Sequence, residues 1–151
     1  MRSMRREIYE SVRSAIAGLR YDNGTPMFRH VGLWNRDVEF IEEGEAWDRP
    51  AVFLEFGPIE WVHDRPSPRE RCSMRCSAEL RLHVVSDTFE ACAVGELPST
   101  YFLMGMLKRA LTGLCGAAFS GMAPVRELSN HDHGELVEEI LVMGYKGHES
   151  F

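Results

Sequence analysis

The chain has 151 residues, 44% of them hydrophobic and 26% charged, with 17 Lys plus Arg against 23 Asp plus Glu for a formal net charge of −6. A chain of this size buries roughly 68–70% of its unfolded surface and needs no disulfide or metal to hold it, so one globular domain over residues 1–151 is expected. The acidic balance argues against non-specific nucleic-acid binding, which draws its affinity from lysine and arginine, and equally against a membrane-surface binder.

The first element expected is a helix from Arg5 to Leu19. Ile8, Val12, Ala15, Ile16 and Leu19 fall on one stripe at 3.6-residue spacing, while Arg5, Arg6, Glu10 and Arg13 fall largely on the other side. The charged flanks leave no apolar core for a signal peptide, and the longest uncharged run, Ala110 to Val125, is too short and too glycine-rich to span a membrane. A cytosolic protein is expected, with Cys72, Cys76, Cys92 and Cys115 as free thiols. Asp22-Asn23-Gly24 closes the helical region with a turn.

Strands follow. Phe28 to Leu33 is a short candidate, Trp34-Asn35-Arg36 a bend, and Val38 to Ile41 a second short candidate. Glu39, Glu42, Glu43, Glu45 and Asp48 surround Gly44, which predicts a tight hairpin with solvated acidic tips rather than a cation site. Ala51 to Phe56 is apolar on nearly both faces, as a central strand should be. Gly57-Pro58 then predicts a bend, with Ile59 to Val62 continuing along an edge.

Asp64 to Arg71 is a proline-bearing loop carrying Arg65, Arg69 and Arg71. After it, Met74, Cys76, Ala78, Leu80, Leu82 and Val84 alternate with Arg75, Ser77, Glu79, Arg81 and His83. Alternation of this kind marks a half-buried strand of an antiparallel sheet and argues against a doubly wound nucleotide-binding fold. His83, on the polar face, is expected at the surface. Asp87 to Glu90 has capping-box spacing for a short helical turn. A second helix is expected from Pro98 to Leu114, with Leu103, Met106, Leu107, Ala110, Leu111 and Leu114 on its apolar face and Gly113 and Gly116 as stops. Pro124 to His131 and Leu136 to Tyr145 read as a closing hairpin around Asn130 to Gly134. Helix, three or four strands, helix and two strands make an α+β protein, with a mostly antiparallel sheet and both main helices on one face.

No catalytic signature is present: no Gly-x-Gly-x-x-Gly, no phosphate-binding loop, no His-Glu-x-x-His and no Gly-x-Ser-x-Gly. His131-Asp132-His133 has the look of a ligand cluster but suits a polar turn better, so no catalytic, cofactor or metal residue is assigned. The five arginines from Arg65 to Arg81 against Glu70 and Glu79 give a basic stretch of +3 beside the acidic one. Opposite patches on one chain suit a head-to-tail contact between copies, with Trp61, Arg65, Arg69 and Arg71 on one side and Glu42, Glu43, Glu45 and Trp47 on the other. Trp61 suits a contact anchor and a cap on the core equally well.

Val31-Gly32-Leu33-Trp34-Asn35-Arg36-Asp37-Val38-Glu39-Phe40, then Arg49-Pro50-Ala51-Val52-Phe53-Leu54-Glu55-Phe56, Ile59-Glu60-Trp61 and the alternating strand through Val85 together resemble the small tail terminator (tail completion) proteins of long-tailed bacteriophages and Mu-like prophages. The resemblance extends over most of the chain, from the opening helix to the closing hairpin. It implies a structural virion-assembly protein without enzymatic activity or cofactor. Such a protein assembles as a homo-oligomer, typically a hexameric ring, on the last ring of the tail tube, stops tube polymerisation and offers a surface to the head. Its implied partners are the tail-tube protein and a head-completion or neck protein, with DNA only passing through the ring lumen. The implied place is the cytoplasm of the bacterial host and then the virion tail. The alternatives are another head–tail connector or neck protein, and a small cytosolic enzyme or ligand-binding domain.

Overall fold

A computed structural model of the chain describes residues 3–34, 48–63, 73–87, 99–130 and 136–151. The first helix, α1 (Met4–Ala17), starts at Ser3, whose side chain accepts from the Arg6 N–H, and carries Glu7 in its first turn. Both features satisfy the unpaired, partly positive N-terminus of a helix. Met4, Ile8, Val12 and Ile16 are its buried row, four residues apart. The expected stripe is there, extended by one turn to Met4.

Two short strands follow, β1 (His30–Leu33) and β2 (Ala51–Phe56), and they pair in parallel. β2 has the residues expected of it, and its first four are buried. It pairs antiparallel with β4 (Ser73–Asp87), whose alternation is the strongest in the sequence. At the predicted bend the Gly57 N–H donates to the Glu79 carbonyl at 3.0 Å, and the backbones come so close that a Cβ at Gly57 would lie 3.1 Å from that oxygen. Beyond it only β3 (Val62–His63) pairs with β4, so the expected edge strand from Ile59 shrinks to two residues. β2 and β3 thus lie along the same edge of β4.

The second helix, α2 (Ser99–Leu111), ends three residues before the expected Leu114. Gly113 has φ of +82°, a left-handed conformation that stops a helix, and its N–H donates to the Met122 carbonyl instead of a helix carbonyl. The closing hairpin is longer than its sequence signal, comprising β5 (Phe119–Asn130) and β6 (Leu136–Ser150). Register shifts between Ser120 and Ala123 and between Pro124 and Arg126 break the regular pattern of β5. A proline and a bulge suit an edge strand, which is where β5 lies.

Among the described residues the sheet order is β1-β2-β4-β6-β5, with β3 off that path on β4 and every pair but β1·β2 antiparallel. The main core lies between the helices and one sheet face. It joins the buried row of α1 and Leu103, Leu107 and Leu111 of α2 to Val52, Leu54, Leu80, Leu82, Val84, Leu141 and Met143. The alternate residues point the other way, and Ala51, Phe53, Val85 and Leu136 form a smaller cluster there with Trp34 packed against it. The α+β arrangement with both helices on one face is the expected one.

The expected Val38–Ile41 strand, the acidic hairpin, the arginine loop, the helical turn from Asp87 to Glu90 and the His131–His133 turn lie largely outside the described residues.

Candidate functional site

The sheet face away from the helices gathers most of the polar chemistry. His83 corrects the surface position expected for it: the residue is only 5% exposed. β4 is an interior strand, Phe53 of β2 is the residue paired with His83, and the Trp34 indole stacks on the imidazole with 3.6 Å between centroids and 14° between planes. Trp34 also meets Phe53 edge-on at 6.2 Å, and its backbone N–H donates to the Leu54 carbonyl.

Both ring nitrogens of His83 face carboxylates. Nδ1 lies 3.1 Å from Glu138 Oε2, and Nε2 lies 3.3 Å from Glu55 Oε1. A ring can donate to both only with a proton on each nitrogen. Glu138 is itself 1% exposed, and Asn130 Nδ2 donates to its other oxygen at 2.7 Å. Glu55 is shared with Arg81 at 3.7 Å. Further along the face, Arg126 makes a two-pronged pair with Glu79 at 2.7 and 3.1 Å, reaching from β5 across β6 to β4. Single buried charges are costly, and here each buried carboxylate or imidazole has its counterpart. The arrangement is a cross-strand lattice that fixes the sheet laterally.

A groove of about 360 Å³ opens on the sheet between β4 and β5, lined by residues that include Ser77, Glu79, Pro124, Val125, Gly144 and Lys146. Its cause is local: Val125 occupies the register shift of β5, and a Cβ on Gly144 would lie 3.0 Å from Val125 Cγ2. A second cleft, also of about 360 Å³, lies between α2 and the hairpin, where Lys108 pairs with Glu127 at 2.8 Å and Ser129 donates to Glu139 at 2.7 Å. Among the described residues no group of three or more His, Cys, Asp or Glu is placed to hold a metal ion, and no helix is long and apolar enough to cross a membrane.

Two groups are shifted by burial. The Cys76 thiol is pushed up because its surroundings desolvate the thiolate, with the Glu149 charge adding to it and a backbone hydrogen bond from Gly147 opposing. The Tyr145 phenol is pushed up to about 12, again chiefly by burial. Both lie in the main core, where an inert, protonated side chain is what packing requires.

Of the expected interface residues, Trp61 is half-buried, packs against the main core and meets Phe151 edge-on at 6.0 Å. It lines a small cleft with Ser3, Met4, Arg5, Ile59 and Glu149. Its packing is that of a core cap with one open edge. Arg65, Arg69, Arg71, Glu42, Glu43, Glu45 and Trp47 lie outside the described residues, so the expected pairing of basic loop and acidic hairpin is not drawn together here. The cluster of buried His83 and Glu138 with part-exposed Glu55 has no local sequence signature, since its members come from three strands.

No protein-family profile matches the sequence, and no curated protein does. Among solved structures, a chain described as "Virion of native gene transfer agent (GTA) particle" superimposes with a TM-score of 0.56 at 11% sequence identity, covering 94% of this chain and 95% of that one. At that identity the likeness is one of fold, and it runs the length of both chains.

Proposed function

We propose that this chain is a structural protein of a phage-like particle that caps the tail tube, ends its polymerisation and presents the surface to which the head joins. The observation that carries this reading is the end-to-end likeness of fold to a chain from a gene transfer agent virion. The resemblance of the strand and turn segments to tail terminators narrows a virion component to this one. On the face away from the helices, His83, Glu55, Glu138, Arg126 and Glu79 brace strands against one another, which suits a protein that works through its surface.

In this reading the chain acts as a ring of copies, typically six, on the last ring of the tube. Its partners are the tube protein on one side and a head-completion or neck protein on the other, with DNA passing through the lumen. No cofactor takes part. The protein is made in the bacterial host and ends in the particle.

Affinity-tagging the chain and decorating purified particles with gold tests the placement. Label at the head-proximal end of the tail supports it. Label along the tube or on the capsid contradicts it, and label in the neck with the tube end bare favours a connector.

A further inference from the structure

On the face away from the helices, the β4–β6 register sets Arg75 across from His148 and Ser77 across from Lys146. All four are exposed. Directly opposed and diagonal residues on one sheet face lie within about 5–8 Å, so the two cations and the histidine form one cluster. Elsewhere on this face the arginines are neutralised, Arg81 by Glu55 and Arg126 by Glu79. Among the described residues Arg75, Lys146 and His148 have no acidic partner. Lys146 also borders the groove over Gly144, whose wall includes Val125, 51% exposed. Of the two charged residues that line this groove, Glu79 is already engaged by Arg126, which leaves Lys146, with Arg75 and His148 beyond it, for an acidic counterpart.

The chain supplies that counterpart. Setting aside Arg75 and Lys146, its formal charge is −6 − 2 = −8. Nucleic acid is a poorer fit, because two full charges make a small footprint against the six to ten or so phosphate contacts of a typical DNA binder. Two copies meeting through this same patch would set cations against cations, so the contact must join it to a different, acidic patch. Such heterologous contacts close into rings when the rotation allows.

We propose that the Arg75–Lys146–His148 cluster and the adjoining Gly144 groove form one half of a head-to-tail contact, and that the acidic surface of a second copy occupies it. The inference rests on the ring reading given above and names the face that makes the ring. Sedimentation velocity of the purified chain over a range of concentration and salt tests it, together with the double variant Arg75→Glu/Lys146→Glu and, separately, Val125→Glu at the groove wall. All three positions are exposed, and circular dichroism checks that each variant folds. Wild type is expected to assemble, less so at high salt, and both variants to associate about tenfold more weakly or less, the shift that 1.4 kcal/mol produces. A wild type that stays monomeric throughout, or an assembling wild type matched by both variants, overturns the proposal. So does salt-sensitive binding of duplex DNA through the same residues. Assembly that ignores these substitutions defeats this face while leaving the tail-tube reading intact. Gold label away from the tail defeats that reading whatever the variants do.

Discussion

Trp34, at the end of β1, lies flat on His83 of β4, with Phe53 of the intervening β2 beside both rings. The stack covers a buried imidazole whose nitrogens each face a carboxylate, so the indole shields the ring and the buried end of the cluster at Glu138. Removing the imidazole takes a hydrogen-bond partner from the buried Glu138, which keeps the Asn130 amide, while the part-exposed Glu55 keeps Arg81.

His83→Ala is therefore expected to cost about 2–3 kcal/mol of stability, since it removes a hydrogen-bond partner from a buried carboxylate and leaves a void beneath Trp34. Glu127→Ala, which breaks the exposed Lys108–Glu127 pair between α2 and β5, is expected to cost about 1 kcal/mol or less. Urea denaturation of the two variants measures the contrast. Equal midpoints would mean that the cluster contributes nothing to the fold.

Gly147 of β6 makes room for α1. A Cβ there would run into Met4 Sδ and come within 3.3 Å of Cys76 Sγ, and Met4 is fully buried. Gly147→Ala is expected to destabilise by about 1–3 kcal/mol, the usual penalty for overpacking a core. Gly105→Ala, where a Cβ meets nothing, serves as the control and is expected to be neutral or stabilising in its helix. Thermal unfolding followed at the helical band reads both.

Tyr145 gives the fold an alkaline limit. Its folded phenol is raised from 10.0 to about 12, so the neutral form is the one that folding favours. That contribution is whole below pH 10 and is lost as the pH climbs from 10 toward 12. Among the described residues its buried hydroxyl has no hydrogen-bond partner, so Tyr145→Phe is expected to be neutral or slightly stabilising at neutral pH and to flatten the alkaline decline. Stability measured from pH 9 to 12 in both proteins checks this.

The thiols should separate by reactivity. Cys115 is exposed, whereas Cys76 is buried and its thiol is held protonated. Thiolate and access together set the rate of disulfide exchange, so Cys115 is expected to react promptly with an aromatic disulfide reagent and Cys76 only on unfolding. Peptide mapping of the labelled protein distinguishes the sites.

What the sequence made legible was local. Alternation through β4, the apolar run of β2, the Gly57-Pro58 bend and the stripe of α1 each express a period or a steric rule that neighbouring residues carry. The hairpin ends were harder, because Phe119 to Ala123 contains two glycine-like breaks in its pattern, Gly121 and the small Ala123, where β5 changes register. The burial of His83 is not written in its neighbours. Alternation assigns it to the polar face correctly, but burial there depends on Trp34 arriving from two strands away and on Glu138 from the closing hairpin. The cation cluster was half visible: Arg75 stood out in the basic stretch, while its neighbours Lys146 and His148 join it only through the β4–β6 register.

A protein that caps a tube sets the tube's length, so tail length reports its action. Deleting the gene for this chain in a host that makes the particle, then measuring tube lengths by electron microscopy, is expected to give tubes of overrunning, uneven length and heads left unjoined. Restoring the gene should restore a single length. Tubes of normal, uniform length in its absence would contradict the account.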